Sequence, residues 1–338
     1  MSSLVKDKAP EILEAIKSSV NILMHCHPSP DPDSVGSVLA MLHVLDGMGK
    51  KATAIIGDSE KPESMSHFPG FDRILSKNWG DIKPEEYDLL IAMDSSSKDM
   101  ISQKHQVVFP DGMKVIVIDH HISNTNYGNI NLVPDYPATG QVLFKLFKEW
   151  GIKLTPEIAA NLFMSIYYDT GGLQYPPTDS QTYKVVGELV ELCPNFSGLL
   201  FTFFNQNDPE TLRFLAIALK NLNKYFNGNV VVSEVRLSEL QEAKIDPLYT
   251  SKTEVVNKII SVRGWNIGIS LFETDENEIH LSFRTRDREK YDVSKIAVAM
   301  GGGGHKAAAG VTVRKTFSEA KKLLLDTIQK LYPELGNP

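Results

Sequence analysis

His27, Asp31 and Asp33 stand in one short stretch broken by prolines, His27-Pro28-Ser29-Pro30-Asp31-Pro32-Asp33. An imidazole with two carboxylates is a ligand set for a hard or borderline divalent cation. In an extended segment residues two apart point the same way, so the three side chains are expected to converge. Asp94 closes the apolar run Leu89-Leu90-Ile91-Ala92-Met93, Asp119-His120-His121 closes Val115-Ile116-Val117-Ile118, and Asp169 precedes Thr170-Gly171-Gly172. Adjacent residues point opposite ways, so His120 is taken as a ligand while His121 faces a substrate or the core. The candidate ligands His27, Asp31, Asp33, Asp94, His120 and Asp169 include four carboxylates. Two divalent ions balance their charge when both histidines are neutral. Two metals about 3.5 to 4 Å apart share bridging carboxylates, activate water as hydroxide and neutralise a phosphoryl oxygen, which is phosphoester hydrolysis. Asp119 is expected to orient the His120 ring from behind, and His121 to face the scissile phosphate. Mixed oxygen and nitrogen ligands suit manganese, with magnesium, cobalt and zinc open.

Each acid also has a plainer reading. Asp31 can cap a helix, Asp94 with three serines after it can do the same, and Asp169 can be a satisfied turn residue. The elements around them argue for a site. Val20 to Met24 reads as a buried strand, and Val35, Val38, Leu39, Leu42 and Leu45 as a helix, which puts the first stretch in a strand-to-helix loop. Continuous apolar runs alternating with helices predict an α/β fold whose parallel sheet is covered on both faces, and such sheets bind ligands beyond the carboxyl ends of their strands. Helices are expected over 4–18, 137–151, from the Thr155 cap to Tyr168, and over 180–193.

The 338 residues favour two domains, and the net charge of -7 argues against a surface for long DNA or RNA while leaving a small anionic substrate at a metal site compatible. Hydrophobic residues make up 42% and charged ones 23%, an ordinary globular composition, and no run approaches the roughly 18 apolar residues of a membrane span. The N-terminus lacks a signal-peptide pattern, so a cytoplasmic location is the expectation. Cys26 and Cys193 form no disulfide framework, and Cys26 is read as a small buried residue.

The dense apolar run Phe196 to Phe204 reads as core or inter-domain packing. A long helix capped by Asp208 is expected to reach about Phe226. Strands follow at 230–235, 267–272 and 279–284, around a helix from about 253 to 262. Another helix, capped by Asp292, runs to Met300. One strand ends in a basic cluster, Arg284, Arg286 and Arg288, of which Arg288 best fits a solvated rim. The stretch Gly301-Gly302-Gly303-Gly304-His305-Lys306 precedes a strand at 309–313. Glycines let backbone N–H groups close on an anion, and His305 and Lys306 add donors and charge.

With these residues in order, the chain resembles the DHH family of phosphoesterases. The motifs are His27-x-x-Pro30-Asp31-x-Asp33-x-x-Gly36-Ser37, Asp94, Asp119-His120-His121 and Asp169-Thr170-Gly171. Gly302-Gly303-Gly304-His305 with Ala308-Ala309-Gly310 resembles the DHH-associated domain of NrnA-type oligoribonucleases and RecJ exonucleases. The resemblance implies a DHH catalytic domain over 1–195, a helical linker over 196–227 and a smaller mixed α/β substrate-binding domain over 228–338, closing across a cleft. It implies two manganese ions on the six ligands named above, with Arg284, Gly303, Gly304 and His305 gripping substrate. The implied substrates are short 5′-phosphorylated oligonucleotides such as pApA, or 3′-phosphoadenosine 5′-phosphate. A homodimer is compatible with it. Leu173 stands where similar chains often carry an aromatic, which weakens base stacking there, although Tyr175 is nearby. The alternatives are a cyclic di-AMP phosphodiesterase, an inorganic pyrophosphatase or exopolyphosphatase, and a nucleotide sensor with a structural metal.

Overall fold

In the computed structural model, which describes residues 3–175, 177–206 and 208–338, α1 (Ser3–Ser18) leads into β1 (Asn21–His25), α2 (Pro32–Gly47) and β2 (Lys51–Ile55). Then come β3 (Leu89–Met93), β4 (Lys114–Ile118), β5 (Ile130–Leu132), α3 (Thr139–Glu149), α4 (Pro156–Asp169), α5 (Ser180–Leu192) and α6 (Phe196–Phe204). The five strands are parallel in the order β2-β1-β3-β4-β5. The chain therefore leaves β1 toward one side for β2 and reappears on the other side as β3. That reversal makes a crevice at the carboxyl ends of β1 and β3, where open parallel sheets place their ligands.

Among the described residues, only one sheet face is covered by α-helices. Ile22, Met24, Ile91 and Ile116 pack with the helices, while Leu23, Leu90, Val115 and Val117 lie under Trp79, Ile101 and neighbouring loop residues. The helices expected on the second face are replaced between β2 and β4 by short 3₁₀ turns, beginning with Glu63–Met65 and ending with Lys98–Met100. Prolines at 62, 69, 84 and 110 interrupt longer helices there. On the helical face, α2 and α4 approach closely at Gly36. A Cβ on Gly36 would lie 2.5 Å from the Asn161 carbonyl oxygen.

The chain divides into two compact units, residues 1–206 and 207–338. The second contains α7 (Pro209–Lys220), β6 (Leu222–Tyr225), β7 (Val230–Val235), α8 (Leu237–Ala243), α9 (Lys252–Ile260), β8 (Ile267–Asp275) and β9 (Glu278–Thr285). It continues through α10 (Val293–Ala299), β10 (Gly303–His305), β11 (Ala308–Arg314) and α11 (Phe317–Leu331). Its mixed sheet has the order β10-β11-β9-β8-β7-β6, with α10 and α11 on one face and α7 and α9 on part of the other.

The helix expected to run to Phe226 stops at Lys220, because Leu222–Tyr225 pair with β7 instead. Of the segment 196–227, α6 packs Phe196, Leu200 and Phe203 on the first core, whereas Phe214 and Ala218 of α7 are buried in the second unit. Phe201 and Phe204 stay exposed. No helix among the described residues is long and apolar enough to cross a membrane.

Candidate metal centre

The stretch after β1 is not extended throughout. Asp31 caps α2, its Oδ1 accepting the Asp33 and Ser34 amides at 3.0 Å each, and Asp33 already belongs to the first helical turn. His27, Asp31 and Asp33 therefore do not converge on one point by strand alternation, and they divide between two clusters. His27 Nε2 lies 3.7 Å from Asp31 Oδ1 and 3.3 Å from Asp94 Oδ2. His120 Nε2 lies 3.1 Å from Asp169 Oδ2, 3.6 Å from Asp33 Oδ2 and 3.7 Å from Asp94 Oδ1. The two oxygens of Asp94 thus face opposite clusters, and each trio's ligand atoms lie within 4.8 Å of one another. Asp94 sits in the left-handed region, φ +51°, one residue beyond β3. That conformation costs a non-glycine residue about 1 kcal/mol or more and recurs at functional sites.

Both histidines are in the tautomer a metal needs. His27 Nδ1 is 2.9 Å from the Pro28 carbonyl and His120 Nδ1 is 3.1 Å from the Tyr136 carbonyl. A carbonyl only accepts, so each Nδ1 carries the hydrogen and each Nε2 is the donor atom for a cation. His120 Nε2 is buried and, among the described residues, makes no aligned hydrogen bond. An orphaned imidazole nitrogen ringed by three carboxylates fits a divalent ion.

Asp33 is fully buried and heavily buttressed. Its carboxylate accepts Thr139 N at 2.8 Å and Gly140 N at 3.1 Å, the first two amides of α3, and also the Ser165 hydroxyl from α4. Helix N-termini favour anions through these amides and the dipole. Even so, burial and the charges of Asp94 and Asp169 push the Asp33 carboxyl well above its ordinary value. Burial opposes protonation of His27, but Asp31 and Asp94 outweigh it and raise the ring to about 11. The carboxylates of Asp169, Asp33 and Asp94 likewise overcome burial and raise His120 to about 10. Against burial, the surrounding histidines hold Asp94 far below the carboxylate range. The cluster's field selects cations.

Asp119 does a different job from the one expected of it. Its Oδ1 accepts His121 Nδ1–H at 2.7 Å and the His120 amide at 2.8 Å, and its Oδ2 accepts Asn124 Nδ2–H at 2.6 Å. It orients His121, whereas the Tyr136 carbonyl orients His120. Nor do the two rings point apart: their centroids are 4.4 Å from one another, because the chain has left β4 and strand alternation no longer applies. Burial works against the His121 imidazolium, and Asp119 raises it nonetheless. Cys26 is buried, and burial lifts its thiol to about 12, so it stays protonated.

Thr139, Gly140, Ser165, Tyr136 and Asn124 went unread in the sequence. The signal for Ser165 is a hydroxyl on the apolar side of α4, one turn after Asn161, since a buried polar residue needs a partner.

In the second unit the glycine tract is an edge strand rather than a loop. Gly303, Gly304 and His305 pair with Gly310, Ala309 and Ala308. Ala308 also pairs with Arg284. Arg284 and His305 therefore share one sheet face, two strand spacings or about 10 Å apart. Lys306 pairs with Glu289, and Arg286 donates to the Ile260 and Val262 carbonyls at the end of α9, so neither is a spare cation.

The described family "DHH family, N-terminal domain" matches residues 21–166, and "DHHA1 domain" matches residues 227–333. The chain thus carries a DHH domain followed by a DHHA1 domain. It is 25% identical over 94% of its length to the Bacillus subtilis bifunctional oligoribonuclease and PAP phosphatase NrnA, covering 96% of that protein. It is 27% identical to the Thermus thermophilus protein of the same name, over 96% of this chain and 94% of that one. An exopolyphosphatase-related protein from Bacteroides fragilis shares the fold, with a TM-score of 0.87 at 23% identity and 97% of each chain covered.

Proposed function

We propose that this DHH protein is a metal-dependent phosphoesterase that hydrolyses short 5′-phosphorylated oligonucleotides and removes the 3′-phosphate of 3′-phosphoadenosine 5′-phosphate. The observation that carries the reading is the pair of histidine–carboxylate trios joined through the two oxygens of Asp94. Two ions, manganese by ligand type, fit the trios His27/Asp31/Asp94 and Asp33/His120/Asp169. When bound, such ions activate water and neutralise phosphoryl oxygens. His121, held by Asp119 and kept basic, presents its imidazole to the scissile phosphate. Arg284 and His305 on one sheet face, with the backbone of Gly303 and Gly304 at the sheet edge, hold the substrate's terminal phosphate. The names of relatives matched nearly end to end support the substrate class. The intact ligand set argues against a retired sensor, and the glycine-histidine strand against an inorganic substrate.

The test is a chromatographic time course on pApA with chelator-stripped protein, with and without manganese. Cyclic di-AMP, 3′-phosphoadenosine 5′-phosphate and pyrophosphate run alongside. Manganese-dependent release of AMP from pApA is expected, with turnover of 3′-phosphoadenosine 5′-phosphate. Turnover of cyclic di-AMP or pyrophosphate alone would replace this assignment, and silence on all four despite manganese binding would favour a sensor.

A further inference from the structure

Beyond Asp169 and the cap residue Thr170 the chain takes three consecutive left-handed residues, Gly171, Gly172 and Leu173, with φ of +59°, +71° and +66°. This coil carries Leu173 onto the core and brings the Tyr175 ring back over Gly171. A Cβ on Gly171 would sit 2.3 to 2.5 Å from three atoms of that ring, so only glycine lets the ring lie on the backbone. The loop is fixed at several points. Tyr175 N donates to the Thr170 carbonyl at 2.8 Å, Leu173 N to the Thr170 hydroxyl at 3.0 Å, and Tyr183 OH to the Leu173 carbonyl at 3.0 Å. Despite this anchoring Tyr175 remains 55% exposed.

An aromatic ring pinned on one side and open on the other is normally wasteful, since ordering it gains little burial. Its position suggests its use. Consecutive Cα atoms are about 3.8 Å apart, so the Gly171 Cα is at most about 7.6 Å from that of Asp169, a member of the candidate metal centre. A nucleobase lies at a comparable distance from its own phosphate.

We propose that Tyr175 is a stacking platform for a nucleobase of the substrate and so a specificity determinant that inorganic phosphates cannot use. The inference rests on the nucleotide reading above and names the element that would enforce it. Leu173 itself packs on the core and cannot serve as the platform.

Stacking on an aromatic side chain is worth roughly 5- to 150-fold in affinity per base. Tyr175→Ala is expected to raise KM for pApA within that range with kcat little changed, and Tyr175→Phe to behave like the parent. A second readout needs no turnover. In Tyr175→Trp with manganese present, AMP is expected to quench the new indole fluorescence, and ribose 5-phosphate to leave it unchanged. Unchanged KM in Tyr175→Ala overturns the platform, as does an equal response of the tryptophan variant to AMP and ribose 5-phosphate. If the parent protein fails to hydrolyse pApA, the substrate reading falls, and the fluorescence comparison alone decides the role of the ring.

Discussion

Asp119→Asn separates positioning from metal binding. Asp119 is fully buried and accepts three hydrogen bonds, from His121, the His120 amide and Asn124. An asparagine keeps the shape but can accept at one oxygen only. If that oxygen serves His121 and His120, the new NH₂ faces Asn124 Nδ2, a donor against a donor. Asn124 cannot relieve this by flipping, because its Nδ2 also donates to the Ser95 carbonyl at 3.2 Å and its Oδ1 accepts Asn126 N at 2.7 Å. One buried donor is then unsatisfied, at roughly 1–3 kcal/mol, and the two remaining bonds lose their charge assistance at about 1 kcal/mol each. The expected loss of stability is therefore roughly 3–5 kcal/mol. Removing a carboxylate that orients a histidine at a metal site typically costs about 10- to 100-fold in activity. Because Asp119 raises the His121 imidazolium against the pull of burial, its removal should also move the His121 limb of the pH–rate profile to lower pH. The assay is steady-state hydrolysis of pApA across pH with metal content measured in parallel. Unchanged rates would remove His121 from the chemistry, and metal content falling in step with activity would make Asp119 a ligand.

Asp94→Ala should abolish turnover and lower bound manganese, since both clusters use this carboxylate; near-normal rates at saturating manganese would refute its bridging position. Arg284→Ala should raise KM for pApA while metal content stays constant, and an unchanged KM would take Arg284 out of the substrate site. In chelator-stripped protein, burial lowers and the neighbouring carboxylates more than restore the imidazole pKa values of His27 and His120, raising them from the ordinary 6.5 to about 11 and about 10. Their contribution to stability is thus full below about 6.5 and lost as pH rises through 10 to 11, so melting temperature should fall across that window. Manganese should oppose the trend, binding more tightly as protons leave the rings; a flat profile in both conditions would contradict these couplings. Gly36→Ala should be destabilising although alanine is the better helix former by about 1 kcal/mol. Its Cβ meets a backbone oxygen at 2.5 Å. Overpacking of roughly 1–3 kcal/mol, reduced by that gain to a net of up to about 2 kcal/mol, should lower the first unit's melting temperature by up to about 8 °C, and a rise would refute the close approach.

The ends of β1, β3 and β4 were legible because parallel strands announce themselves as unbroken apolar runs, and the candidate site was sought at their carboxyl ends. His27, Asp94 and His120 could be placed from that rule alone. The division of labour among them could not. Asp33 meets Thr139 across 106 positions and Ser165 across 132, and no local pattern encodes such pairings. The opposite orientations expected of His120 and His121 failed because a strand rule was carried past the strand's last residue. Likewise β6 and β10 are short edge strands, four and three residues long. Their pairing comes from β7 and β11 rather than from their own composition, one of them being mostly glycine. Asp31 shows that the plain reading and the functional one need not compete, since the carboxylate that caps α2 also faces His27.

Asp33 is at once a candidate ligand and the knot of the first unit. One carboxylate gathers the opening turn of α2, the first amides of α3 and a hydroxyl from α4. A descendant that gave up catalysis would be under pressure to retain it, because its loss strands two buried amides. Among DHH sequences, then, an intact aspartate at this place says little about activity. The partly exposed Asp169, which caps no helix among the described residues, is where a lapse of chemistry would first be written.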